Sequence, residues 1–395
     1  MRIGILLQSC DETMGGIGIY TQEIVRALLR IDRANEYILI YPGFGAARKF
    51  MGQFHHYKNA TEIEAPLPLG HQWQQISQCA GPMLRTVRAL LPVETYWDQM
   101  IVPRVAEQYR VDVLFNPHLT VPIKGRFSKV AIIHAVEYHT VPNVYTWRMY
   151  AWWFLLEKLI LPAADRVISL SNTMTEAVQR HVKYPISRVR TIYHGVSEKF
   201  RVETDGKALA SARARYGLPE RFILFVGRLY PEKNFATLLR AFADLNGARS
   251  HKLVVAGAPR YKVGPDMTVL RQLGLEDRVS FLGHVPHGDL PLIYNLAEAF
   301  VNPSLYEGFG LAQIEAMACG CPVIAANTGA IPEVTGGAAL LFNPHDPAEL
   351  SQAIIKAIGD ASFRGDLVQR GLARAAEFTW ERAARATLEV FQELV

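Results

Sequence analysis

The sequence predicts an α/β chain built from two doubly wound parallel sheets. Three observations carry that expectation. Short runs rich in Val, Ile and Leu alternate with amphipathic stretches through the first half, as in successive βαβ units. The alternation lapses near residue 200 and restarts near residue 220. A chain of 395 residues, 50% hydrophobic and 20% charged, is also long enough for two domains with separate cores.

Arg2–Leu7 reads as a buried strand. Gly15, Gly16 and Gly18 follow it and open a helix whose inner face carries Tyr20, Ile24, Ala27, Leu28 and Ile31. A glycine turn at a helix start suits an anion, because the first N–H groups have no partner inside the helix. The full dinucleotide fingerprint is missing, however, and no acid follows the second strand at the right distance. Tyr37–Tyr41, Val111–Phe115, Lys129–Ile133, Arg166–Leu170 and Val189–Tyr193 read as further strands. Residues 61–110 break the rhythm with Pro66, Pro68, Pro82, Pro92 and Pro103, and predict an insertion of short helices beside the first domain's ligand site.

The polar stretch Glu203–Lys207 reads as a linker. Beyond it, Phe222–Val226, Leu253–Ala256, Val279–Leu282, Ala299–Asn302, Val323–Ala325 and Ala339–Phe342 are short apolar strands, separated by helical stretches such as Phe235–Phe242 and Leu350–Ile358. In doubly wound folds ligands lie at the carboxyl ends of the strands, and two such domains place them in a shared cleft.

Charge and cysteine usage narrow the class. The net charge of +5 divides into +6 for residues 1–200 and −1 for residues 201–395. A basic first half suits an anionic acceptor or membrane, or an ordinary solvated surface. Cys10, Cys79, Cys319 and Cys321 have no zinc spacing and read as reduced, buried thiols. No apolar run reaches the ~18–20 residues of a membrane span, and the chain opens on a strand rather than a signal-peptide pattern. The expected location is therefore the cytoplasm, at the inner face of the cell membrane if a peripheral contact exists. Two segments suit such a contact: the aromatic stretch from Tyr145 to Lys158 and the basic amphipathic piece at 83–91. Both also suit helices packed on a core. No nucleic-acid motif is present.

The most informative stretch runs from Tyr306 to Glu315. Glu307 and Glu315 stand eight positions apart, with Gly308-Phe309-Gly310 between them and an expected helix at Ala312–Cys319. Strand, glycine turn and helix make an anion site, and a carboxylate on each side suits a ligand with hydroxyls at both ends. Eight residues at helical rise would span roughly 12 Å. Upstream, Arg228 and Lys233 lie five apart just after the strand that ends at Gly227.

This pattern resembles the E-x7-E motif of the retaining glycosyltransferases of family 4, which have the GT-B fold. Gly15-Gly16-Ile17-Gly18, Gly227-Arg228-Leu229, Glu232-Lys233-Asn234 and Tyr193-His194-Gly195-Val196 resemble the family's other markers, in its order. The resemblance implies an acceptor domain at 1–200, a donor domain at 201–378, and a last helix, 379–395, that crosses back onto the first. It implies that Arg228 and Lys233 neutralise a leaving diphosphate, which gains charge as the glycosidic bond breaks. It gives Glu307 to the donor sugar, Glu315 to the ribose, and backbone amides of Gly308, Phe309, Gly310 and Leu311 to sugar and phosphate. Gly15 and Gly16 touch the donor phosphate, and His134 meets the sugar near the reacting centre. The family often has an acid after that histidine, whereas Ala135 stands there and Glu137 follows later, which puts the acid's role in doubt.

Metal-dependent transferases hold a divalent ion with an Asp-x-Asp pair, which this chain lacks. The expectation is metal-independent transfer, with no cofactor beyond a nucleotide-diphosphate sugar as co-substrate and a glycan or lipid-linked acceptor. The overall pattern is most similar to mannosyltransferase-like members, which favours GDP-mannose over UDP-glucose or UDP-N-acetylglucosamine. Retention leaves open a covalent carboxylate intermediate or a same-face attack, and the resemblance to the family favours same-face attack with the donor phosphate accepting the acceptor's proton. A non-catalytic sugar-nucleotide-binding subunit, or a phosphorylase or epimerase of the same fold, are the alternatives, and the intact E-x7-E pair and cations argue against them.

Overall fold

The computed structural model describes residues 1–10, 15–67, 93–134, 136–141, 146–245, 250–257 and 264–395. Two parallel sheets form its frame. The first contains β1 (Arg2–Leu6), β2 (Glu36–Pro42), β3 (Ala60–Ala65), β4 (Val113–Asn116), β5 (Ser128–Ile133), β6 (Arg166–Ser169) and β7 (Val189–Thr191), in the order β3-β2-β1-β4-β5-β6-β7. The second contains β8 (Phe222–Val226), β9 (Lys252–Ala256), β10 (Val279–Gly283), β11 (Ala299–Asn302), β12 (Val323–Ala326) and β13 (Leu340–Phe342), in the order β10-β9-β8-β11-β12-β13. Every paired neighbour is parallel. The central strands are buried on both faces: Ile3, Ile5, Val113 and Phe115 in one sheet and Ile223, Leu224, Phe300 and Val301 in the other have almost no exposed surface. Continuous apolar runs are what a two-sided burial demands.

Sequence reading and structure part company at residues 60–65. The expected insertion of short helices begins instead with β3, hydrogen-bonded to β2 at the sheet edge. Its sequence Ala-Thr-Glu-Ile-Glu-Ala lacks an apolar run because an edge strand buries less, and Glu62 accepts from the Tyr41 hydroxyl at 2.8 Å. Among the described residues of this stretch, helical pieces appear at Val93–Gln108, where Trp97 is fully buried and donates its indole N–H to Ala65 O at 2.8 Å. The expected features at 83–91, Pro68, Pro82, Pro92, Cys79, Ala135 and Tyr145 lie outside the described residues, as does the side chain of Glu137. Cys10, Cys319 and Cys321 are buried. The stretch 203–207 enters a helix at Gly206, where the Asp205 side chain accepts from the Lys207 N–H at 2.8 Å.

The chain passes between the halves at two adjacent places. Val196 donates to Phe378 O at 3.1 Å and bridges to Thr379. The strands of this crossing are so close that a Cβ on Gly195 would lie 2.1 Å from the Trp380 nitrogen. The helix Trp380–Gln392 then packs along α1 (Gly16–Ile31), seats Phe391 against Phe115 at 5.2 Å, and ends with Glu393 paired to Arg166 and Arg190.

Candidate active site

Strand order fixes where the chemistry can gather. In the second sheet the winding reverses between β8 and β11, and a crevice opens at the carboxyl ends on either side of such a reversal. β8 runs into Gly227 and Arg228, and β11 runs into the loop that carries Glu307. A backbone bond from Leu305 N–H to Glu232 O at 2.8 Å ties the two loops together. Asn234, in the left-handed region at φ 53°, fastens its loop further by donating to Pro303 O at 3.1 Å and Pro344 O at 2.7 Å.

The consequence is a direct pair. Lys233 Nζ lies 2.7 Å from Glu307 Oε1, and the same oxygen receives Ser304 Oγ at 2.8 Å and Asn302 Nδ2 at 3.2 Å. Burial pushes the Glu307 carboxyl upward, but the Lys233 charge and the three hydrogen bonds outweigh it and hold the group below the usual carboxylate range. Glu232 shows the opposite balance: burial raises it, and neighbouring Glu307 adds to the effect.

Glu315 is buried, and its Oε1 lies 2.7 Å from His287 Nε2, with the Tyr294 hydroxyl 3.5 Å from Oε2. The helix below it is Leu311–Ala318, capped by Gly310. Glu307 therefore precedes the helix rather than opening it, and helical rise applies only from Leu311 to Glu315. The glycine turn breaks the helix before it can reach Glu307. Phe309 is turned inward, its ring 4.7 Å from His194 and 5.7 Å from Phe378, which leaves the turn's backbone as its ligand-facing chemistry.

The first half meets this turn closely. A Cβ at Gly308 would stand 2.5 Å from His134 O and 2.2 Å from the Met174 methyl, so only glycine fits. Ser171 Oγ donates to Gly308 O at 2.9 Å, and Tyr306 is buried in an apolar cluster made of first-half residues such as Leu119, Ile133 and Val178. His134 itself follows β5. Its Nε2 lies 2.9 Å from Pro117 O. A carbonyl can only accept, so Nε2 carries the proton and Nδ1 is left as an acceptor. Burial drives the imidazole down to about 3, against the Pro117 bond, so it is neutral at physiological pH. Gly15, with φ 67°, lies against the Arg228 guanidinium across the same junction. Gly16 begins α1.

Sequence reasoning passed over His287 and Glu333. His287 follows β10, at a strand's carboxyl end, and that position was its only signal. Glu333 lies in the first turn of a short helix of the second half, Ile331–Thr335, yet reaches into the first half. It accepts from Asn172 N–H at 2.7 Å, Thr173 N–H at 2.8 Å, Thr173 Oγ1 at 2.6 Å and Tyr193 OH at 2.7 Å. Burial raises its carboxyl, but these donors prevail and lower it. Ser169 Oγ bonds Thr175 Oγ1 inside the first half. Among the described residues no three His, Cys, Asp or Glu side chains are placed to hold a metal ion.

Comparison with known proteins agrees with this fold. Residues 14–200 match Glycosyltransferase Family 4, and residues 211–374 match Glycosyl transferases group 1. The O-antigen chain mannosyltransferase B of Escherichia coli is 27% identical, over 100% of both chains. The serotype-specific mannosyltransferase WbdA of the same species is 32% identical over 61% of this chain and 30% of its own length. Among solved structures, Anabaena HepE in complex with UDP-glucose superposes with a TM-score of 0.74 at 22% identity, over 100% of both chains, a likeness of fold. The two parallel sheets with a reversal-point crevice define the GT-B fold. The chain belongs to glycosyltransferase family 4, the group 1 glycosyl transferases, and is a glycosyltransferase that draws on a nucleotide sugar.

Proposed function

We propose that this enzyme is a retaining, metal-independent mannosyltransferase that takes its sugar from GDP-mannose and passes it to a glycan or lipid-linked acceptor in polysaccharide or glycolipid assembly. The two mannosyltransferase relatives, one matching along the whole chain, support the sugar. Residues 201–378 hold the donor, and residues 1–200, joined by 379–395, hold the acceptor.

The observation that carries the reading is the Lys233–Glu307 pair at 2.7 Å beside the Gly308–Gly310 turn. It sets a cation where a diphosphate would sit and a carboxylate kept ionised where the sugar would sit. Arg228 and Lys233 neutralise the diphosphate as it leaves. Glu307 orients the sugar hydroxyls and favours positive charge at the anomeric carbon. Glu315, held by His287, takes the ribose hydroxyls. The unprotonated Nδ1 of His134 accepts from a sugar hydroxyl. In the transfer step the acceptor oxygen bonds to the anomeric carbon on the face the phosphate leaves. The C–O electrons go to the phosphate, and that phosphate takes the acceptor's proton. Two fixed cations at the leaving group are the reason no metal is required.

The test is nucleotide release from GDP-mannose, UDP-glucose, UDP-galactose and UDP-N-acetylglucosamine, with chelator present. Release from GDP-mannose alone, reduced about 10²–10³-fold in Lys233→Ala and Glu307→Ala, is expected. Release from a UDP-sugar alone overturns the donor, abolition by chelator overturns metal independence, and no binding of any nucleotide overturns the assignment.

A further inference from the structure

The helix Trp147–Leu155, which continues to Ile160, turns an apolar face outward. Trp147 is 75% exposed, Leu159 58% and Phe154 53%, with Tyr150 and Leu155 exposed between them. These positions recur at helical spacing and form one stripe, about 18 Å long by helical rise. Scattered exposed apolar residues need no explanation, but a continuous aromatic stripe does.

Among the described side chains, the exposed charges around the stripe are mostly basic. Glu157, the single acid between residues 146 and 160, is buried against His139, whose Nε2 lies 2.9 Å from Glu157 Oε1. Lys158 is exposed beside the stripe, its Nζ above the Phe154 ring at 5.8 Å and 3.3 Å from Val182 O. That bond, with His181 stacked on His139 at 5.2 Å, brings the segment 178–190 alongside. Among the described side chains, the neighbouring segment exposes Arg180, Lys183 and Arg188, with Glu176 as an exposed acid nearby. The same helix buttresses the active site: Tyr138, four residues after His134, stacks on Trp153 with ring centres 5.3 Å apart and planes 9° apart.

We infer that this stripe is a docking surface for an anionic lipid bilayer. Indole, phenol and phenyl groups would lie at the headgroup level, while Lys158, Arg180 and Lys183 face lipid phosphates. The Tyr138–Trp153 stack would then hold the His134 loop next to the membrane, which suits an acceptor carried on a lipid. The inference deepens the acceptor half of the proposed function and does not depend on which donor is used.

The experiment is flotation of the full chain with vesicles of phosphatidylethanolamine and phosphatidylglycerol, beside vesicles of phosphatidylcholine alone, at low and high salt. Retention on the anionic vesicles at low salt, weakened by salt, is expected. Trp147→Ser/Phe154→Ser should reduce it about tenfold or more, and Arg180→Glu/Lys183→Glu should reduce it comparably. Both variants should release nucleotide from donor in the absence of vesicles at the wild-type rate, which shows that they fold. No retention of the wild-type chain overturns the inference. So does retention indifferent to both variants, or a dimer on light scattering that Trp147→Ser/Phe154→Ser dissolves, which assigns the face to a second copy. Flotation needs no donor, so it can fail while the donor assay succeeds.

Discussion

A Cβ on Gly15 would stand 2.5 Å from Arg228 Nη2, closer than two such atoms approach, so the glycine is the floor on which the guanidinium rests. The backbone at Gly15 also lies at φ 67°, ψ −137°, which L side chains rarely adopt. Gly15→Ala should therefore displace Arg228 and lower kcat/KM about 10²-fold, with a further stability cost of about 1–3 kcal/mol from backbone strain. Arg228→Ala alone should lose a similar factor. Because both act on one contact, the double variant should be little worse than either single one. Additive losses in kcat/KM would mean that Gly15 acts independently of Arg228.

Lys233 and Glu307 separate charge from shape. Glu307→Gln keeps the Ser304 contact and removes the charge, so folding should stay near wild type while donor turnover falls about 10²-fold. Lys233→Met leaves the carboxylate without its cation and should cost about 1–3 kcal/mol in a thermal melt. The pH signature follows from the sign of the shift. Glu307 lies below its unfolded value, so its stabilisation is present above that value and is lost as pH falls through the folded one. In Lys233→Met that acid loss should be smaller, because the cation that lowers the carboxyl is gone. Identical acid limbs in the two proteins would contradict the pairing.

Much of this architecture could be read from the chain because its strands are buried on both faces. Phe222–Val226 and Ala299–Asn302 have the same limits in sequence and structure, since an apolar run bounded by glycine or proline leaves little choice. β3 escaped because an edge strand need not be apolar. Within the cleft, what was legible was local: a glycine turn, two cations, two acids. What was not legible depends on folding two halves together. His287 lies 28 residues before Glu315, and Glu333 lies 160 residues after Thr173, so no local spacing announces either contact. The tautomer of His134 rests on the position of a single carbonyl, Pro117 O, which only the fold supplies.

Glu333 binds one half to the other, and its removal should show as shape. Its carboxylate gathers four donors from Asn172, Thr173 and Tyr193. Glu333→Ala removes them all and leaves a helix start without its anion. The radius of gyration of the free enzyme in small-angle scattering should increase. With the donor site in the second half, as proposed, nucleotide affinity should change less than about twofold, whereas kcat should fall about tenfold. An unchanged scattering profile would show that the remaining contacts, Ser171 to Gly308 among them, hold the halves without it.

Three histidines beneath the cleft should make the enzyme acid-labile in a measurable way. Burial lowers His118 to about 4 and His134 to about 3, and it takes His194 well below its ordinary value. His194 is enclosed by Tyr20, Phe309 and Trp380, with neither ring nitrogen hydrogen-bonded. All three are neutral when folded and take up protons when unfolded, so folding is favoured above about pH 6.5 and weakens as pH falls toward the folded values. Each such proton contributes a slope of about 1.4 kcal/mol per pH unit, so the three together approach about 4 kcal/mol per unit near pH 5. Denaturant titrations from pH 8 to pH 4.5 measure that slope directly. Replacing His194 by Phe, which fills the same aromatic cage without a titrating group, should remove about one third of it and leave stability at pH 8 within about 1.5 kcal/mol. A flat profile down to pH 4.5 would mean that these imidazoles are already protonated in the folded enzyme, and with it the acceptor role of His134 Nδ1 would fall.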